Sequence, residues 1–321
     1  MSVRTRSGGL LASVVLLATS AAAENFDFEV GVTYNRTQLD AEQTIATNGG
    51  SIFNSNDIDT DAWSLFGSWY FAGLSDDNGP RARAAFVDRA SVLNVGYART
   101  DVSASTSVVS TDPLIPSFES SFDSDGDAYA LDLRYVWGDS GWFANGGVAS
   151  TDTTIGGLVG SSVDSTVWRL GAGKYLFDTT TLALDVSQAD DDIGDATNIA
   201  VAFSHLGDMG ENWQYAVDLG YARTDADFDL EFDTWSAALS LYPNRDFEFG
   251  VGIAETDADF AALDSTSYEG FASWFVTPRV VLAARYRIDD VGYLGNVVIP
   301  SAETSRDADQ DSISFGITVR F

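Results

Sequence analysis

Along most of this chain apolar and polar residues alternate with a period of two, and the helical period of 3.6 is almost nowhere sustained. The stretch from Ser312 to Phe321 is the cleanest case. Every odd position in it is apolar, and the even positions are Ser, Ser, Gly, Thr and Arg. Fourteen segments of this kind can be marked, at 25–37, 61–73, 90–102, 124–137, 142–152, 164–176, 180–190, 196–206, 212–224, 231–242, 245–256, 265–276, 279–290 and 311–321. Most are 10–14 residues long, which exceeds a usual globular strand and suits a tilted crossing of a hydrocarbon layer. The pattern predicts an all-β fold, a single-chain antiparallel transmembrane barrel of about 14 strands, with 12–16 compatible with the spacing.

The connections sort by length. Residues 138–141, 177–180, 207–211, 242–246 and 277–279 are short and carry the Gly, Asn, Asp and Pro of tight turns. Residues 38–60, 103–123, 153–163 and 291–310 are polar and longer. Short periplasmic turns facing long external loops are the asymmetry of a membrane barrel, and a soluble sandwich has no reason to sort its loops by parity. Residues 73–89 break the rule by being long on the short-turn side. A brief helix, a tuck into the periplasmic mouth and a merely elongated turn all fit this segment.

Alternation alone does not say which face is outside, but width does. Fourteen strands enclose a lumen too wide for Gly, Ala and Ser to fill as a core. The large apolar set is therefore expected to face lipid, with Phe26, Phe28, Val30 and Val32 in the first strand and Leu182, Leu184 and Val186 in the seventh. Aromatics near strand ends, among them Trp69, Trp137, Trp142, Trp213 and Trp274 by the turns and Tyr97 and Tyr221 by the loops, are expected to form interfacial girdles. Phe71, Tyr175, Phe177 and Tyr242 fall in the same zone. On the small, polar face lie Asp132, Arg134, Arg169, Asp185, Asp218, Glu248, Arg285, Arg287 and Arg320. Mid-strand arginine facing lipid would cost about 2–4 kcal/mol, so these nine are expected to line a wet lumen. They could filter solutes there, or pair with one another and hold up the wall.

The ends and the charge narrow the class. Arg4 and Arg6, the apolar run 10–17 and Ala21-Ala22-Ala23 read as a secretory signal peptide over 1–23, leaving 24–321 as the barrel. The chain has 17 basic and 48 acidic residues, a net charge of −31, and such a balance excludes a nucleic-acid partner. There is no cysteine, hence no thiolate chemistry. The single histidine, His205, is expected on the lipid side near a turn, which is no place for a general base. HExxH, GxSxG and P-loop patterns are missing, and the acidic loops lack EF-hand spacing, so neither catalysis, a cofactor nor a metal is expected.

The hexapeptide GYARTD occurs at 96–101 and again at 220–225, with looser relatives at 147–152, 252–257 and 285–290. Each lies where a strand leaves a short turn and enters a polar loop. It reads as a depth marker, with Tyr97 and Tyr221 at the interface and Arg99 and Arg223 snorkelling toward lipid phosphate.

The final strand ending in Phe321 resembles the signal that outer-membrane proteins present to their assembly machinery. The overall layout resembles a bacterial porin-type barrel, and residues 79–91 are similar to a segment of poorly characterised Gram-negative porins. Fourteen strands is fewer than the roughly 16–18 of familiar porins, so monomer and homo-oligomer both remain open. The resemblance implies a Gram-negative outer-membrane location, with lipid, lipopolysaccharide and the assembly machinery as partners and small solutes or ions as cargo. The expected function is passive diffusion of small hydrophilic solutes or ions, with a preference for cations. A structural or surface-binding barrel with an occluded lumen and an uptake channel for hydrophobic compounds are the alternatives. The latter needs a plug, for which the start of the first strand near residue 25 leaves no N-terminal room.

Overall fold

In the computed structural model the described residues are 25–47, 50–75, 79–111, 116–155, 162–191, 194–210, 213–227, 230–258, 264–291 and 304–321. The expected signal peptide lies outside them. Fourteen antiparallel strands close into one barrel in sequence order, with the first strand hydrogen-bonded to the last. The strands are β1 Asn25–Thr47, β2 Gly50–Ser75, β3 Val92–Ser110, β4 Phe118–Val136, β5 Trp142–Ile155, β6 Ser162–Phe177, β7 Thr180–Asp191, β8 Ala196–Met209, β9 Trp213–Ala226, β10 Leu230–Asn244, β11 Phe247–Ala258, β12 Ser265–Thr277, β13 Val280–Val291 and β14 Thr304–Arg320. The seam is completed by Phe321, whose backbone N–H donates to the Phe28 carbonyl at 2.8 Å while its own carbonyl accepts from Asp27 at 2.8 Å. A closed ladder leaves no unpaired strand edge to meet hydrocarbon. No helix among the described residues is long and apolar enough to cross a membrane.

The alternation becomes an outer belt. Phe28, Leu65, Leu131, Leu184, Val251 and Phe315 are all exposed on the outside of the wall. Asp132, Arg134, Asp185 and Asp218, with the opposite parity, face the interior cavity. At one end the strands are joined by tight turns. In the β4–β5 connection Trp137 donates to the Trp142 carbonyl at 2.9 Å. Gly138 and Gly141 take φ of 40° and 70° there, values that glycine tolerates at no steric cost. We call this the turn end.

Two expectations change. Residues 38–60 and 103–123 are largely strand, not loop. The β1–β2 ladder continues from Gln38↔Asp59 to Thr47↔Gly50, and β3–β4 continues to Val108↔Phe118. Both faces of these extensions are mostly polar, with apolar residues such as Phe53, Val109, Phe118 and Phe122 only scattered among them, so no alternation of hydrophobicity marks them. Their backbone groups still need partners, and prolonging the ladder supplies them. Phe26 does not face lipid either. A register shift between Phe26 and Phe28 turns it inward, where it is 6% exposed.

Candidate functional site: a plugged lumen

The irregular connection between β2 and β3 enters the barrel. Pro80 leads into a 3-10 turn, Arg81–Arg83, and then a one-turn helix α1, Ala84–Val87. Its small side chains and one aromatic let it fit among inward-facing rings at the turn end. Ala84 and its neighbour Ala85 pack on Phe26, Tyr70 and Leu74 from β1 and β2. Phe86 packs on Val136, Phe143 and Tyr175 from β4, β5 and β6. Ala82, Phe86 and Val87 pack on Leu206, Ala216 and Tyr242 from β8, β9 and β10. One short segment thus touches three sides of the wall.

The aromatic collar that grips it was legible by parity. Tyr175 shares its face with Arg169, Gly171 and Gly173, and Tyr242 shares its face with Ser236 and Ser240. Their position near strand ends suggested a lipid girdle, whereas both are buried inside, at 4% and 1% exposure. Parity, and not depth, decides which way a strand residue points. Phe71 is exposed on the outer face of β2, and Phe177, although of Tyr175's parity, is exposed beyond a register shift between Tyr175 and Phe177.

Polar contacts fix the plug further. The Arg83 guanidinium donates to the Asp218 carboxylate and, through Nε, to Tyr242 Oη at 2.9 Å. Burial disfavours the charged form of Arg83, but the Asp218 hydrogen bond and the pull of Asp218 and Tyr242 outweigh it, so its pKa is raised. Arg81 pairs with Asp246, and its backbone N–H donates to the Arg245 carbonyl at 3.0 Å. Arg89 reaches Asp178 at 2.7 Å. Tyr175 Oη donates to the Phe86 carbonyl at 3.1 Å, and Arg320 Nη2 to the Arg81 carbonyl at 3.2 Å. Arg320 itself sits between the Phe26 and Phe275 rings, 4.5 and 4.6 Å from their centroids, and pairs with Glu29 at 2.6 Å.

Two cavities lie against the plug, of about 800 and 540 Å³. Both are bordered by Arg83 and Asp218, so this ion pair stands between them. The larger is bordered by Asp132, Arg134, Arg169, Asp185 and Arg287, and the smaller by Glu248 and Arg285. With Arg320 at the collar, all nine charged residues singled out in the sequence face inward. Most are paired. Arg169 lies 3.7 Å from Asp132 and 3.4 Å from Asp185, Arg285 lies 3.7 Å from Glu269, and Arg287 lies 2.7 Å from Asp289. Glu248 accepts from Tyr242 at 2.7 Å and Ser273 at 3.2 Å. Sequence reasoning missed Arg81, Arg83 and Phe86, because no periodicity says where an irregular segment goes.

The remaining singled-out residues lie on the outer face. Trp69, Trp137, Trp142, Trp213 and Trp274 are exposed close to the turn end, and Tyr97 is exposed toward the other. Tyr221 packs on Trp235 with ring centroids 4.4 Å apart. His205 Nδ1 is 2.8 Å from Thr180 Oγ1, near the β7 turn. The two GYARTD copies build the same cluster. Tyr97 Oη donates to Asp127 and Tyr221 Oη to Asp233, at 2.5 and 2.6 Å. Arg99 approaches Asp101 and Asp125, each at 3.9 Å, while Arg223 pairs with Glu231 and lies 3.6 Å from Asp225. Each arginine therefore meets carboxylates of its own strand and the next one.

No protein-family model matches the chain, and no curated protein sequence does. Solved structures share its fold. Omp33 of Acinetobacter baumannii superposes with a TM-score of 0.56 at 16% identity, covering 94% of this chain and 100% of that one. A TodX deltaS2S3 mutant, a monoaromatic hydrocarbon channel, gives 0.56 at 12% identity over 92% and 91%. The toluene transporter TodX of Pseudomonas putida gives 0.53 at 11% identity over 92% and 90%. At these identities the likeness is one of fold.

Proposed function

We propose that the chain is an outer-membrane channel for small hydrophilic solutes or ions, cation-preferring, in which the 79–91 plug limits passage at the periplasmic end. The observation that carries this reading is the interior. Charged side chains border both cavities beside a plug held by side-chain contacts and a backbone hydrogen bond from Arg81 to Arg245, and continuous in chain with the wall at its two ends. The net charge of −31 supports attraction of cations to the mouth. Lipid and lipopolysaccharide would meet the outer belt and rim, and Phe321 would serve as the assembly signal.

Two neighbours are named for hydrocarbon transport, but such uptake needs an apolar path. Here Asp132, Arg134, Arg169 and Asp185 border the larger cavity, which favours a polar cargo. A second reading, an occluded structural barrel, is favoured by the number of anchors on the plug.

Planar-bilayer recording separates these readings. The comparison is between the wild type and a variant whose residues 80–90 are replaced by a short Asn-Gly turn. The channel reading expects small steps from the wild type and much larger ones from the variant. Steps from the variant alone would identify an occluded barrel, and silence from both folded proteins would remove the channel reading altogether.

A further inference from the structure

We infer that the larger cavity holds a binding site for a small zwitterion of the α-amino-acid type, with Arg134 taking its carboxylate and Asp132 its ammonium. This deepens the channel reading by naming a class of cargo.

One interior arginine differs from the rest. Arg81, Arg83, Arg89, Arg169, Arg285, Arg287 and Arg320, the other arginines of the plug and inner wall named above, each have a carboxylate partner. Arg134 has none among the described residues. Its guanidinium lies 4.1 Å from the Phe143 ring centroid and gives one hydrogen bond, from Nη2 to Tyr175 Oη at 3.0 Å. Four of its five N–H groups are left over, and its Nε is buried without a partner. An unpaired guanidinium beside a cavity is costly to keep unless an anion completes it.

The opposite charge lies two residues away on the same face of β4. Asp132 and Asp185 share the single guanidinium of Arg169, so one carboxylate charge is in surplus there. Asn145, the cross-strand partner of Arg134, donates its amide to Asp185 and has a buried Oδ1 with no partner. Gly171 keeps this corner open, since a Cβ on it would lie 2.6 Å from that oxygen. A free cation on one side and surplus negative charge on the other suit a ligand carrying both signs a few ångströms apart. A simple anion would meet the surplus carboxylate, and a simple cation would meet Arg134. Phe86 and Phe143 border the same cavity and leave apolar contact for a small side chain.

The test is equilibrium dialysis of labelled L-alanine against the folded, detergent-solubilised protein, with acetate and ethylammonium as single-charge probes. Folding of each variant is verified by its heat-modifiable electrophoretic mobility. L-alanine is expected to bind more tightly than either probe. Arg134→Gln and Asp132→Asn should each weaken it by about tenfold or more, the worth of a charge-assisted contact. Arg134→Lys, which keeps the charge but loses the fork, should fall between, and it serves if Arg134→Gln does not fold. Arg36→Gln, on the outward-facing parity of β1 and paired with Asp59 at 3.2 Å, should leave binding unchanged. Failure of alanine to bind, equal binding of acetate, or indifference to Arg134 would each overturn the inference. Binding is read without current, so its outcome is independent of whether the barrel conducts.

Discussion

Arg83 shows how much a single side chain holds. It links the plug to β9 through Asp218 and to β10 through Tyr242. Truncation to alanine would leave Asp218 with only its Ser204 donor, at a cost of about 2 kcal/mol to the docked plug. That raises the undocked population roughly 30-fold. Trypsin reports it directly, because the plug carries Arg81 and Arg89. The folded wild type should resist cleavage there, and Arg83→Ala should be cut at both sites while its barrel stays intact. An equal rate for both proteins would show that the pair does not hold the plug. Arg285 and Arg287 give a second prediction. Each has an acidic partner, Glu269 and Asp289, so changing both to glutamine frees two carboxylates in the wall. The reversal potential in a salt gradient should move toward the cation limit, and an unmoved potential would take these residues out of the path. The GYARTD arginines are corrected at this scale too. Each has its own hexapeptide's aspartate beside it, Asp101 or Asp225, and a second carboxylate from the next strand, Asp125 or Glu231, which the hexapeptide does not contain.

Among the elements, strands were the most legible and the β2–β3 connection the least. Period-2 alternation arises because successive side chains point to opposite faces, so all fourteen strands could be marked wherever one face meets lipid. Beyond 37 and 102 the residues are mostly polar with no alternation, and the ladder continues without a period to show it. Residues 79–91 carry no period at all. Their fate depends on a collar assembled from Phe26, Tyr70, Phe143, Tyr175 and Tyr242, which lie far apart in sequence. Gly141 holds φ at 70° in the β4–β5 turn, and a Cβ on it would lie 3.2 Å from the Tyr175 carbonyl oxygen. Gly141→Ala should cost about 1 kcal/mol or more, read as a lower urea midpoint for the barrel folded in lipid vesicles. An unchanged midpoint would mean that the turn relaxes freely.

The whole molecule is a charged tube, and its selectivity should behave as such. The Debye length falls from about 10 Å at 0.1 M salt to about 3 Å at 1 M. The proposed cation preference, as an effect of net acidity at the mouth, should therefore fade across that range in reversal-potential measurements. Preference that persists at high salt would place the filter at close range, beside the paired charges of the lumen.

The sequence by itself determined the barrel, its strand number to within about two and the face on which nearly every strand residue lies, because these follow from a local period and a width that small side chains cannot fill. It also determined that the nine charged residues turn inward. Only the tertiary structure decided that 79–91 returns into the lumen, that Phe26 is turned by a register shift, and that Arg134 lacks a carboxylate partner among the described residues. Those depend on which strands closure brings opposite one another, and contacts across a barrel leave no period in the chain.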